Sequence, residues 1–192
     1  IVRPDSVDVW KDELVRSRLQ RYRGILDGIL MPKFKVAKLI RTDTPLDSSE
    51  EKLWKEHARL SQVFKRTLSD LDRGGAEPQH ICTPSSYTYL DLKIELCKRI
   101  TKRCNLCERR CGVDRLRDQK GFCGVGKDAI ISTSFLHMGE ESVLVPSGTV
   151  FFAGCNFGPC VFCQNYDISG DPNNGHVVTP TRLAEIASEL EL

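Results

Sequence analysis

The stretch Thr149-Val150-Phe151-Phe152-Ala153-Gly154-Cys155-Asn156-Phe157-Gly158-Pro159-Cys160-Val161-Phe162-Cys163-Gln164-Asn165 joins an unbroken apolar run to three closely spaced cysteines. Apolar side chains on both faces of 149–153 suit a parallel strand covered on both sides, which puts the cysteines at the strand's C-terminal end. Soft thiolates select iron–sulfur clusters or zinc, and a [4Fe–4S] cluster normally takes four of them. Three thiolates in one loop can hold three irons and leave the fourth open to a small molecule. A zinc knuckle, or three thiols in an ordinary core, are the alternatives that residue type and spacing leave open.

A second cysteine group precedes it: Cys104-Asn105-Leu106-Cys107-Glu108-Arg109-Arg110-Cys111-Gly112-Val113, closed by Gly121-Phe122-Cys123-Gly124. Cys104, Cys107, Cys111 and Cys123 satisfy either a tetrahedral zinc site or a second iron–sulfur cluster, and spacing does not separate the two. Cys82 and Cys97 lie outside the close spacings and are expected as structural thiols. The basic residues at 99–103 and Arg109-Arg110 read as a solvated face around the first cysteines. His57 and His80 lack metal-type neighbours and read as packing or surface residues.

Upstream, 7–30 carries apolar residues at a period nearer 3.6 than 2 and predicts a helix ending near Gly24 to Gly28. Met31-Pro32 breaks it, and 34–40 reads as a short extended piece. Asp47-Ser48-Ser49-Glu50-Glu51 is a helix start, with the helix running to about Leu71 and a breaker cluster at 72–78. Tyr87 to Ile100 predicts a third helix. Beyond it, 129–136 and 142–145 predict a hairpin of two strands, then the strand 149–153, then a helix opened by Thr179-Pro180. The expected architecture is α+β: a mainly helical region over 1–100, a cysteine-rich metal-binding module over 101–128, and the first βα unit of an α/β barrel over 129–192, with its site at the strand's C-terminal end.

The 28 basic and 26 acidic side chains give a net charge of +2, so no global field favours nucleic acid or an anionic membrane. No apolar run approaches a membrane-spanning length and no signal-peptide pattern is visible. Nine cysteines, seven of them in two closely spaced groups, without secretory features, argue for metal binding in a reducing cytoplasm over disulfides. The chain starts at Ile1 and stops inside the amphipathic segment 182–192, so it is expected to be a fragment of a longer protein.

With these motifs the sequence resembles the radical S-adenosylmethionine (SAM) superfamily, whose usual motif is CxxxCxxC with an aromatic before the last Cys, here Phe162. The first gap here holds four residues, Asn156 to Pro159, where that pattern has three. A Gly-Pro turn can absorb the difference. The words Phe-Phe-Ala-Gly-Cys-Asn (151–156) and Cys-Gln-Asn-Tyr-Asp-Ile-Ser (163–169) are similar to the pyruvate formate-lyase activating enzyme-like branch. So is the segment Cys-x-x-Cys-x-Arg-x-Cys-Gly-Val at 104–113. His137, Glu140 and Glu141 also fit this branch, although a polar hairpin tip is the favoured explanation of them.

The resemblance implies a truncated partial TIM barrel. It also implies a [4Fe–4S] cluster on Cys155, Cys160 and Cys163 whose open iron binds SAM, with Phe162 near the adenine and Gln164 and Asn165 supporting the loop. The implied activity is reductive cleavage of SAM to a 5′-deoxyadenosyl radical, an oxidoreductase chemistry supplied with electrons by a ferredoxin or flavodoxin. The implied target is a protein glycine in a glycyl-radical enzyme, with this chain by itself inactive because the remaining SAM and substrate contacts are missing. Two other classes compete. A non-catalytic iron–sulfur electron carrier would need a fourth ligand at the main loop, for which His176 is the downstream candidate. A zinc-binding interaction module would explain the cysteines but not the apolar strand.

Overall fold

The computed structural model describes residues 3–74, 87–158 and 160–191. His80 and Cys82 lie outside them. In chain order the elements are helices α1 (Pro4–Asp8), α2 (Glu13–Arg18), α3 (Gln20–Leu26) and α4 (Lys33–Leu39), strand β1 (Arg41–Thr42), α5 (Glu50–Asp72), β2 (Tyr87–Thr88), α6 (Tyr89–Lys102), β3 (Ala129–His137), β4 (Ser147–Phe152), α7 (Tyr166–Gly170), β5 (His176–Val178) and α8 (Pro180–Glu189). Single 3₁₀ turns lie at Val9–Lys11, Arg115–Arg117 and Ser142–Leu144. The chain divides into two compact units, one of 13–99 and one of 1–12 with 100–192.

In the unit of 13–99, α5 follows from its start signal. The Ser49 hydroxyl accepts from the Lys52 N–H at 3.3 Å, and Glu50 and Glu51 occupy the first turn, where the positive end of the helix dipole favours carboxylates. Its buried Leu53 and Leu60 pack with Ala37 and Ile40 from the α4 region and with Tyr89, Leu92 and Leu96 of α6. The Tyr89 N–H donates to the Ile40 carbonyl at 2.8 Å, and β1 pairs antiparallel with β2 beside it.

Two readings of this region are corrected. The expected helix over 7–30 is a succession of short helices, because the chain is interrupted at Asp12, Leu19 and the Gly28 turn. The expected extended piece at 34–40 is α4, with Pro32 at its N-cap and Ile40 at its C-cap; the adjacent Val36 and Ala37 are both buried, which alternation cannot produce. Cys97, expected as a structural thiol, is exposed on α6.

In the other unit, β3 is the centre of a three-stranded sheet of order β4-β3-β5, antiparallel throughout. The expectation of a parallel β4 is therefore corrected. The link 138–146 from β3 to β4 is short, whereas a parallel crossover needs about a dozen residues or more, so the strands form a hairpin. The predicted strand at 142–145 is mostly the 3₁₀ turn Ser142–Leu144 within that link. Among the described residues the sheet is open and does not close into a barrel. A bulge between Ile131 and Thr133 lies opposite the end of β4, at Phe152 and Phe151. The buried apolar residues of this unit are Cys104, Ile131, Val145, Ala153 and Ile186. Helix α8 starts as predicted: Thr179 Oγ1 accepts from the Arg182 N–H at 3.1 Å, and Pro180 occupies the first turn.

Candidate metal centre

The four-cysteine segment is organised by backbone pairing rather than by a regular element. The Cys104 N–H donates to the Val113 carbonyl at 3.0 Å, and the Gly112 N–H donates back to the Cys104 carbonyl at 2.9 Å. A turn closed by the Arg110 N–H on the Cys107 carbonyl, 3.0 Å, lies between them, with Arg110 in the left-handed region at φ 42°. Cys104 and Cys111 thus lie on the paired arms of the loop and Cys107 in the turn between them. Asp114 then caps the 3₁₀ turn that carries Arg115, its carboxylate accepting from the Leu116 N–H at 3.0 Å.

Arg115 is only 6% exposed. Its Nε donates to Cys104 Sγ at 3.0 Å and its Nη2 to Cys123 Sγ at 3.1 Å, while Nη1 donates to the Val125 carbonyl. A buried guanidinium needs hydrogen-bond acceptors, and the two sulfurs and the Val125 carbonyl supply them. Burial by itself would raise the Cys104 thiol, but the Leu106 N–H and the Arg115 guanidinium outweigh it and bring the group below its ordinary value. The Phe122 N–H donates to Cys111 Sγ at 3.4 Å, so three of the four thiols already accept an N–H donor. Such N–H···S bonds are the outer-shell support that thiolate metal sites use.

The second loop leaves β4 through Gly154, whose φ is +90° and whose N–H donates to the Ile168 carbonyl at 2.8 Å. A Cβ here would fall 2.8 Å from the Cys123 carbonyl oxygen and 2.6 Å from Val125 Cγ2, so only glycine lets the loop lie this close to the four-cysteine segment. Within the loop the Phe157 N–H donates to Cys155 Sγ at 3.4 Å, the Cys163 N–H donates to the Cys160 carbonyl at 3.0 Å, and Cys163 Sγ lies 3.3 Å from Ser169 Oγ on α7. Val161 and Phe162 are 99% and 84% exposed, which leaves the Phe162 ring available to a ligand. Gln164 and Asn165 instead line a separate recess of about 310 Å³ with Phe135, Phe151 and Asp167.

A larger cavity of about 570 Å³ is lined by Cys104, Cys107 and Cys123 from the first group and Cys155 from the second, together with Arg115 and Asn156. Cys111, Cys160 and Cys163 are not part of that lining. None of the described cysteines forms a disulfide. Among the described residues no three His, Cys, Asp or Glu side chains converge as closely as a bound ion requires, so ligation calls for the thiols to turn toward a common point. The donor set fits a thiophilic metal in kind, being all sulfur with N–H support and no disulfide competing for it.

His137 Nδ1 lies 3.2 Å from Glu140 Oε1, and the Arg3 guanidinium donates to the Met138 and Glu140 carbonyls at 2.8 and 2.9 Å, which accounts for the polar tip of the hairpin. His176 is exposed on β5, in register with Ile131. Sequence reading missed Arg115, Arg109 and Gly154. Arg109 stood in a basic run that reads as a solvated face, yet its Nε donates to the Asn156 carbonyl at 3.1 Å and its Nη2 to the Phe157 carbonyl at 3.0 Å.

Among the described residues no helix is long and apolar enough to cross a membrane. The chain is 42% identical over 175 residues to an uncharacterized protein of Methanocaldococcus jannaschii, an alignment covering 88% of this chain and 48% of that protein. The chain thus spans about half the length of the curated relative it matches. No family model matches the chain, and no solved structure matches it.

Proposed function

We propose that this chain carries the cluster-binding part of a radical SAM enzyme of the kind that activates glycyl-radical enzymes. The observation that supports it most is the loop after β4, where Cys155, Cys160 and Cys163 lie on one short loop. In this reading those three thiolates hold three irons of a [4Fe–4S] cluster and leave one iron for SAM. A [4Fe–4S] cluster held by these three thiolates would supply the electron for reductive cleavage of SAM.

The chain's own residues have positioning tasks in this scheme. Ser169 holds the Cys163 sulfur, the Phe157 N–H holds that of Cys155, and the exposed Phe162 ring offers an apolar face to the adenine. Cys104, Cys107, Cys111 and Cys123 hold a second metal, iron–sulfur or zinc, with Arg115 compensating part of its thiolate charge. That cysteines of both groups line one cavity supports placing both metals in the same unit of the fold. In a protein as long as the matched relative, the remaining strands of an α/β barrel would follow. Electrons would come from a ferredoxin- or flavodoxin-type donor in the cytoplasm, and the hydrogen from a protein glycine.

The test is 5′-deoxyadenosine formation from SAM under a strong reductant, run anaerobically on this chain and on a protein of the relative's full length, both reconstituted with iron and sulfide. Sustained turnover is expected from the long protein and not from this chain. A long protein that holds its full complement of iron and sulfide yet forms no 5′-deoxyadenosine refutes the reading.

A further inference from the structure

We infer that Arg109 is a positioning residue that clamps the gap between Cys155 and Cys160 to the four-cysteine segment. Its side chain leaves the Cys107–Arg110 turn, with Cys107 and Cys111 on either side in sequence. The guanidinium donates from Nε and Nη2 to two successive carbonyls, Asn156 at 3.1 Å and Phe157 at 3.0 Å. Its central carbon also lies 3.9 Å from the centre of the Phe122 ring. Phe122 adjoins Cys123 in sequence, and its N–H holds Cys111 Sγ at 3.4 Å.

The same ring forms the second jaw. Gly158 has φ +94°, and a Cβ there would come 3.0 Å from Phe122 Cζ. Arg109 and Phe122 together fix Asn156, Phe157 and Gly158, three of the four residues between Cys155 and Cys160. This is the gap that is one residue longer than the CxxxCxxC pattern. The clamp gives that length a purpose: the added chain reaches the other cysteine group and is tied to it. A planar, two-pronged donor is needed, because lysine cannot bridge two carbonyls and stack on a ring at once.

The consequence for metal binding rests on the proposed function: ordering the four-cysteine segment orders the Cys155 loop, so filling the first site prepares the second. The clamp itself does not rest on it and can be read in the metal-free chain. Peptide-resolved hydrogen exchange on the parent, Arg109→Ala, Arg109→Lys and Phe122→Leu is the measurement. In Arg109→Ala the amides of 155–164 are expected to exchange at least fivefold faster, with 129–137 unchanged. Lys should restore only part of the protection, and Phe122→Leu should give the same local acceleration.

After reconstitution, iron should leave the Cys155 loop to a chelator at least fivefold faster in Arg109→Ala, while the metal on the four-cysteine site stays. Unchanged exchange over 155–164 overturns the clamp, and so does equal acceleration of 129–137, which would make Arg109 a general support. If the parent takes up no cluster on Cys155, Cys160 and Cys163, the proposed function fails, and the exchange result still decides the clamp.

Discussion

Replacing Gly154 with Ala should separate the two cysteine groups, at a magnitude that follows from two terms. The first is conformational: an L-residue on the left-handed side of the map costs roughly 1–2 kcal/mol. The second is steric, because the new Cβ would stand 2.8 Å from the Cys123 carbonyl oxygen and 2.6 Å from Val125 Cγ2. Backbone oxygen cannot rotate aside as a side chain can, and overpacking of this kind costs about 1–3 kcal/mol. Gly154→Ala should therefore destabilise its unit by about 2–5 kcal/mol. Gly112 supplies the control. It has φ +69° and nothing within 4 Å of the position a Cβ would occupy, so Gly112→Ala meets only the first term. Urea unfolding of the reconstituted chain, followed by circular dichroism with unchanged m-values, gives both numbers. The reasoning is refuted if the two variants lose equal stability, since the contact with Cys123 would then carry no energy.

Two further outcomes follow from buried charge. Arg115→Met removes both N–H donors and the positive charge beside Cys104 and Cys123, so metal on the four-cysteine site should be held about 10–100-fold less tightly; a chelator competition that shows parental affinity would exclude this outer-shell role. His57 Nε2 lies 3.1 Å from Tyr89 Oη and 3.2 Å from Lys93 Nζ, and burial first, then the Lys93 charge, lowers its pKa from an ordinary 6.5. The unfolded chain thus binds the proton at higher pH than the folded one. Stability from this residue is present in full above about 6.5 and is lost as pH falls from there through the lowered folded value. Unfolding midpoints between pH 7.5 and 5 should fall more steeply for the parent than for His57→Gln, and parallel slopes would contradict the assignment.

Elements with a chemical start signal were legible in the sequence. Ser49 with two following glutamates announced α5, Thr179-Pro180 announced α8, and the apolar run from Ala129 announced β3. Strand β4 was legible as a strand but not in its direction, because apolar residues on both faces do not distinguish a buried parallel strand from a hairpin arm whose faces are only partly covered. The length of the β3–β4 link decides that. Helix α4 was misread because Phe34, Val36 and Ala37 within a short segment fit either period, and only the burial of the adjacent Val36 and Ala37 selects the helix. At the candidate centre the cysteines were visible, while Arg109, Arg115 and Gly154 were not. Arg109 and Gly154 act between loops far apart in sequence, and Arg115 reaches two thiols within its own irregular segment, neither of which a local pattern encodes.

The central claim is that Cys155, Cys160 and Cys163 bind one cluster apart from the metal on the four-cysteine site. Its most direct test is iron and sulfide content, with the absorption and low-temperature EPR spectra of the dithionite-reduced protein, for the parent and a variant with all three replaced by Ala, both reconstituted anaerobically. The variant is expected to lack the four irons and four sulfides of one cluster, together with its reduced signal, while metal on Cys104, Cys107, Cys111 and Cys123 remains. Identical iron, sulfide and spectra in the two proteins would contradict the claim.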